Sequence, residues 1–175
     1  MLQLILGGAR SGKSHLAEQT AKETGLSVIY IATAQALDTE MQQRIAHHQQ
    51  QRPAHWQVLE EPIFLADQLL QLDQENQVIL VDCLTLWLTN LLLSDHAELQ
   101  QHQTDKFLNL LPQLKSHIIL VSNETGLGVV PMGEISRRFV DEAGRLHQAL
   151  GQLANKVVFC VAGFPMILKD EKEHD

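Results

Sequence analysis

The chain has 175 residues, 45% of them hydrophobic, and 13 Lys+Arg against 21 Asp+Glu give a formal net charge of -8. That length suits one domain with a real core, and the acidic balance, with no Lys/Arg cluster, argues against a dedicated nucleic-acid surface. No apolar run approaches the about 18 residues of a membrane span, the N-terminus lacks a signal peptide's charged start and cleavage site, and Cys83 and Cys160 stand singly in apolar stretches, as buried small hydrophobes of a cytoplasmic protein do.

The first element is a short β-rich run, Leu2 to Leu6, which passes at once into Gly7-Gly8-Ala9-Arg10-Ser11-Gly12-Lys13-Ser14, matching G-x-x-x-x-G-K-[ST]. Small residues let such a loop curl until its backbone N–H groups converge on phosphate oxygens, while Lys13 supplies a cation and Ser14 a hydroxyl for Mg²⁺. The following stretch, Ser14 to Glu23, is strongly helix-forming and stops near Gly25. Strand, loop and helix stand in the order that triphosphate binding requires, which disfavours the alternative of a glycine-rich turn that binds nothing. His15 reads as an ordinary helix residue.

A second β-rich run, Ser27 to Ala32, precedes a helix predicted over about 38 to 51, with Asp38 as N-cap and Pro53 as stop. Met41, Ile45 and His48 fall at i, i+4 and i+7 and share a stripe, while His47 turns about 100° away. Arg44 is the i−4 neighbour of His48, and Arg52 lies one turn further on. A histidine between two arginines is disfavoured as a cation, and neutral imidazole is a nucleophile. The same arginines could hold phosphate oxygens, so the stretch could support attack on a nucleoside triphosphate. A solvent-facing polar helix with a histidine pair is the plainer alternative. A metal site fits less well, because adjacent histidines diverge on a helix and no i, i+4 His/Glu partner completes a ligand set.

Next come a helix over about 63 to 72, the run Val78-Ile79-Leu80-Val81-Asp82, a long helical stretch around 84 to 115, the run His117 to Ser122, a helix over about 134 to 154, and the run Lys156 to Val161. Asp82, closing an aliphatic strand, has the form of the carboxylate that completes a Mg²⁺ environment with the loop hydroxyl; a helix cap before Leu84 is the alternative. Asn155-Lys156-Val157-Val158 lacks the Asp of the Asn-Lys-x-Asp guanine motif, which argues against a GTPase switch. The charged tail, Lys169 to Asp175, is expected to fray.

All these runs are almost continuously apolar, the mark of strands buried on both faces of a parallel sheet. The expected fold is therefore three-layer α/β, a P-loop NTPase fold with a mostly parallel sheet, and residues 1–175 form one catalytic domain. Ligands collect beyond the carboxyl ends of such strands. The residues to inspect are Gly7 to Ser14, Thr33-Ala34-Gln35, Asp82-Cys83, Asn123-Glu124 and Ala162-Gly163.

Several motifs together resemble one family. The loop Gly7 to Ser14, Tyr30-Ile31-Ala32-Thr33, Arg44-Ile45-x-x-His48-x-x-x-Arg52-Pro53-x-x-Trp56, Thr89-Asn90-Leu91-Leu92 and Asn123-Glu124-x-Gly126-x-Gly128-x-Val130-Pro131 are similar to those of the bifunctional adenosylcobinamide kinase / adenosylcobinamide-phosphate guanylyltransferases of cobalamin biosynthesis. The resemblance spans nearly the whole chain. It implies phosphorylation of adenosylcobinamide by ATP or GTP, then transfer of GMP from GTP to the phosphate through a GMP-histidine, releasing pyrophosphate.

By position that histidine is His48, with His47 as rival, and Lys13 is the second catalytic residue. The resemblance also implies nucleotide contacts from Ala32, Thr33, Ala34, Arg44, Arg52, Glu60 and Asp82, Mg²⁺ at Ser14 and Asp82, a corrinoid substrate, and a homotrimer. Asn123, Glu124, Gly126 and Gly128 either meet the corrinoid or form a structural turn. His147 stands where the family pattern calls for Asn. Two other readings use fewer of these residues: a P-loop small-molecule kinase without guanylyl transfer, and a non-catalytic nucleotide-dependent binding protein.

Overall fold

In the computed structural model, residues 1–34, 53–94, 96 and 98–171 are described. One seven-stranded sheet runs in the order β3-β2-β4-β5-β1-β6-β7. Its strands are β1 (Leu2–Gly7), β2 (Ser27–Ala32), β3 (Gln57–Glu60), β4 (Gln77–Asp82), β5 (His117–Asn123), β6 (Lys156–Val161) and β7 (Phe164–Asp170). Neighbours from β3 to β6 pair in parallel, and β7 turns back antiparallel on β6. The helices are α1 (Lys13–Glu23), α2 (Leu65–Leu72), α3 (Leu84–Leu92), α4 (Leu99–Leu110), followed by a 3₁₀ turn at Leu111–Gln113, and α5 (Glu134–Leu153).

Side chains alternate across a strand, so each apolar run feeds two cores. Leu4, Ile31, Val81 and Leu120 face one layer, where Leu69 of α2, Trp87 of α3, Phe107 of α4 and Leu150 of α5 pack on them. Ile5, Tyr30, Leu80 and Val121 face the other, against Ala17 and Ala21 of α1 and against Trp56. This is the expected three-layer arrangement, with four of the described helices on one face. Trp87 and Phe107 meet with ring centroids 5.0 Å apart.

Two expectations need correction, and two strands, β3 and β7, were not expected. The helical stretch around 84 to 115 is two helices and a 3₁₀ turn: after Leu92 the Ser94 hydroxyl donates to the Leu91 carbonyl, drawing the chain out of helical register. The short strand β3 escaped notice because only Leu59 of its four side chains is partly shielded. The frayed tail is overturned for Lys169 to Glu171. Lys169 and Asp170 pair with Val157 and Lys156, the Lys169 ammonium donates to the Gly151 and Gln152 carbonyls, and the Glu171 amide donates to Asn155. Phe164 to Leu168, an edge strand of exposed apolar residues, holds that tail in place.

Candidate active site

The register of the parallel strands puts the sequence-selected residues on one edge. Ala32 lies between Glu60 of β3 and Asp82 of β4, and Gly7 lies between Asn123 of β5 and Cys160 of β6. All six are at carboxyl ends, where a parallel sheet leaves a crevice for ligands. Asn155, by contrast, sits at the amino end of β1, where its side chain accepts the Leu2 amide and its own amide donates to the Leu2 carbonyl. That placement agrees with its exclusion as a guanine-reading residue.

The loop from Gly7 to Ser14 is braced from outside as well as within. A Cβ on Gly7 would lie 2.5 Å from Ser11 Oγ and 2.6 Å from the Cys160 carbonyl oxygen, so no side chain fits there. Arg10 and Gly12 adopt positive φ, 56° and 94°, and α1 begins immediately after Gly12. The Ser11 amide donates to Gly8 O at 3.3 Å, and the Lys13 ammonium donates to the same carbonyl at 3.1 Å. From the β6–β7 turn, the Gly163 amide and the Cys160 thiol both donate to Ser11 O, at 2.8 and 3.1 Å. Gly8 has open space around it, and Ala9 and Arg10 are exposed.

Within this tight frame the Ser11 hydroxyl is buried without a hydrogen-bond partner, as is the Asn123 side-chain oxygen across the β1–β5 pair. Unpaired buried polar atoms are costly, and these two flank Gly7, Ser11 in its loop and Asn123 on the neighbouring strand.

Asp82 accepts a hydrogen bond from the Tyr30 hydroxyl at 2.9 Å, which fixes its carboxylate while leaving the other oxygen free of that bond. It does not cap α3, whose N-cap is Cys83 without a side-chain bond. Burial and the Asp82 charge push the Cys83 thiol up to about 11, against a weaker opposing effect of the Lys13 charge. Thr33 is fully buried, and its hydroxyl donates to Cys83 O at 2.6 Å while accepting from Cys83 N at 3.0 Å. It joins the ends of β2 and β4, and Asn90 holds its carbonyl and that of Pro62. Ala32 and Ala34 are half-buried beside it, and Glu60 is exposed.

Asp82 and the Ser14 hydroxyl are hard oxygen donors, and among the described residues no cluster of three or more His, Cys, Asp or Glu forms a ready metal cage. Such oxygen donors suit Mg²⁺, which is usually held by one or two carboxylates together with substrate phosphates and water.

At the far side of Gly7, the Glu124 amide donates to the Gly7 carbonyl at 3.0 Å, and the Gly126 amide donates to Glu124 Oε1. Gly128 lies in an exposed loop with open space around it. Arg44, His47, His48 and Arg52 lie outside the described residues. Trp56 is buried beside α1, with the Lys22 ammonium 5.8 Å from its ring. Sequence reasoning missed Tyr30 as the support of Asp82. A tyrosine in an otherwise aliphatic buried strand was the available signal, since its hydroxyl must find a partner.

The family described as cobinamide kinase / cobinamide phosphate guanyltransferase matches residues 3–168. The chain is 60% identical over 171 residues to the bifunctional adenosylcobalamin biosynthesis protein CobP of Pseudomonas aeruginosa, covering 98% of this chain and 99% of that relative. It is 38% identical over 183 residues to the bifunctional adenosylcobalamin biosynthesis protein CobU of Escherichia coli, covering 97% and 100%. A solved structure of the Pyrococcus horikoshii protein PH0250 is similar in fold alone, with a TM-score of 0.57 at 12% identity, over 98% of this chain and 87% of that one.

Proposed function

The chain belongs to the cobinamide kinase / cobinamide phosphate guanyltransferase family, a bifunctional family of adenosylcobalamin biosynthesis, and on that premise we propose that both half-reactions run at the single sheet edge that carries the phosphate loop. The observation that carries this reading is the alignment of Glu60, Ala32, Asp82, Asn123, Gly7 and Cys160 along that edge. In the kinase step the loop amides and Lys13 hold the triphosphate of ATP or GTP, and the corrinoid hydroxyl attacks the γ-phosphorus. Positioning and charge neutralisation supply most of the catalysis of such a transfer. Mg²⁺ held by Ser14 and Asp82 would offset the charge of the phosphates.

In the second step His48 attacks the α-phosphorus of GTP: an N–P bond forms, the bond to the bridging oxygen breaks, and pyrophosphate leaves with the electron pair. A phosphate oxygen of the corrinoid then attacks the same phosphorus and the N–P bond breaks, giving adenosylcobinamide-GDP. Arg44 and Arg52 would steady the phosphates, with Ala32, Thr33, Ala34 and Glu60 around the nucleoside. Asn123, Glu124, Gly126 and Gly128 form the corrinoid side. All of this falls to one domain, residues 1–175.

Incubation with GTP labelled at the α-phosphate tests the second step. Acid-labile, base-stable label that disappears in His48→Ala and persists in His47→Ala is the expected result, and label surviving in His48→Ala overturns it. The same family reading makes the protein a homotrimer of the cytoplasm. Two surfaces support the assembly: the exposed apolar edge of β7, with Phe164 at 77%, and the loop carrying Val129 and Met132, at 96% and 95%. Surfaces this apolar mark interaction sites, and a light-scattering mass measures the outcome.

A further inference from the structure

Beside the phosphate loop, hydrogen-bonding groups from three elements and a loop form a continuous chain. The Asn123 amide donates to Thr85 Oγ1 at 2.7 Å, Thr85 Oγ1 lies 3.2 Å from Ser122 Oγ, and Ser122 Oγ lies 2.8 Å from His147 Nε2. His147 Nδ1 in turn stands 3.4 Å from Glu124 Oε2. Thr85 belongs to α3, Ser122 to β5 and His147 to α5, so the chain ties two helices and a strand to the loop that carries Glu124.

Proton directions follow from the partners. Burial holds the His147 imidazole below the ordinary histidine value, against an opposing pull from Glu124, so the ring is neutral and carries one N–H. With a carboxylate facing Nδ1, the proton sits on Nδ1 and Nε2 is left as an acceptor. Ser122 then gives its hydroxyl proton to Nε2 and takes that of Thr85, which itself accepts the Asn123 amide. Every donor points the same way, and the chain ends on the Glu124 carboxylate. The other oxygen of that carboxylate takes the Gly126 amide. A carboxylate offers about four lone-pair sites, so Glu124, whose side chain is 19% exposed, keeps room for a third donor. Its own amide is bonded to Gly7, the first residue of the phosphate loop.

We propose that Glu124 is the base that takes the proton of the phosphoryl-accepting hydroxyl in the kinase step, and that His147 is the positioning residue that aims it, backed by Ser122 and Thr85; this rests on the reading of Asn123 to Gly128 as the corrinoid side. The hydroxyl oxygen forms a bond to the γ-phosphorus, the bond from that phosphorus to the β,γ-bridging oxygen breaks, and the nucleoside diphosphate leaves with the electron pair. The hydroxyl proton passes to Glu124. In guanylyl transfer the acceptor is already a phosphate, with no such proton to remove, so the two half-reactions should depend on Glu124 unequally.

General bases contribute typically 10²–10⁴-fold, and the loose transition state of phosphoryl transfer leaves little for the base to do, which selects the low end. Glu124→Gln, close in shape, should lower kcat of the kinase step about 10²-fold, at least about tenfold more than it lowers kcat of guanylyl transfer measured on adenosylcobinamide phosphate. His147→Ala should lower the kinase kcat with little change in KM for ATP. His147→Asn, whose amide N–H stands where Nδ1 stood, should recover most of that loss. Equal losses in the two half-reactions, an unchanged kinase kcat in Glu124→Gln, or no recovery in His147→Asn overturns the proposal. If His147→Ala does not fold, Glu124→Gln and His147→Asn carry the comparison. Wild-type protein that fails to phosphorylate adenosylcobinamide sinks the underlying reading; active wild type with an indifferent Glu124→Gln sinks only this inference.

Discussion

Replacing Gly7 by alanine tests the packing that supports the phosphate loop, with the neighbouring Gly8 as an internal control. The new Cβ at position 7 would stand 2.6 Å from the Cys160 carbonyl, about 0.8 Å inside the 3.4 Å of ordinary contact. The Ser11 hydroxyl, 2.5 Å away, can rotate; the Cys160 carbonyl cannot, since it belongs to the strand paired with β1. Overpacking costs roughly 1–3 kcal/mol, and a backbone obstacle puts Gly7→Ala in the upper half, about 2–3 kcal/mol. For a chain of this size that is a fall of about 4–12 °C in the unfolding midpoint. At Gly8 a Cβ meets nothing within 4 Å and φ is not positive, so Gly8→Ala should leave the midpoint unchanged or raise it by a few degrees, through the loss of unfolded-state freedom. Thermal unfolding with and without GTP and MgCl₂ provides the second readout. At a hundredfold excess over Kd, wild type gains about 2.7 kcal/mol, about 5–11 °C, and Gly7→Ala gains almost none because its loop no longer closes. Midpoints for the two nucleotide-free variants within about 2 °C of each other would refute the packing argument.

Other perturbations follow the same contacts. Thr33→Val strips the Cys83 amide and carbonyl of their shared partner, and buried unsatisfied groups cost about 1–3 kcal/mol each, so chemical denaturation should show a loss of at least about 2 kcal/mol that Thr33→Ser largely restores. Asp82→Asn keeps an oxygen for the Tyr30 hydroxyl but removes a charge from the proposed Mg²⁺ site; the MgCl₂ concentration for half-maximal turnover should rise at least about tenfold. The Cys83 thiol, raised to about 11 chiefly by burial, should resist iodoacetamide at pH 8 in the folded protein and react once it is denatured, as followed by mass spectrometry. His147 has a folded-state value below its ordinary 6.5, so the unfolded chain binds more protons and stability rises with pH. Its contribution is present above about pH 6.5 and lost as pH falls through the lower folded value, and denaturation midpoints of His147→Asn should flatten over that window.

The parallel core strands were legible because a strand buried on both faces must be apolar along its whole length, as Val78 to Val81 and Ile118 to Val121 are. β3 and β7 were not, since β3 is exposed at three of its four residues and β7 is an exposed edge, where composition carries little information. The phosphate loop was legible for a similar reason: Gly7 and Gly12 answer local constraints, a carbonyl 2.6 Å from a Cβ and a φ of 94°. Its outer brace was hidden, because Cys160 and Gly163 reach Ser11 from about 150 residues away along the chain, and nothing local marks a contact made through sheet pairing. His147 illustrates the same limit. Taken alone it was a departure from a pattern, and only the fold places its ring between Ser122 and Glu124.

On the proposed reading, that distinction lets one short loop serve two phosphorus chemistries. Residues fixed by long-range pairing, namely Cys160, Gly163, Thr33 and Tyr30, hold the loop and Asp82 still, so the triphosphate would be presented in one place. In the proposed mechanism the choice of phosphorus then falls to two groups: Glu124, whose amide is bonded to Gly7, as the base of the kinase step, and His48 as the nucleophile toward the α-phosphorus. A rigid phosphate cradle served by a separate base and a separate nucleophile needs no second nucleotide site. Competition follows from it: a non-hydrolysable ATP analogue should suppress guanylyl transfer from GTP with a strictly competitive pattern, and a non-competitive pattern would require two sites.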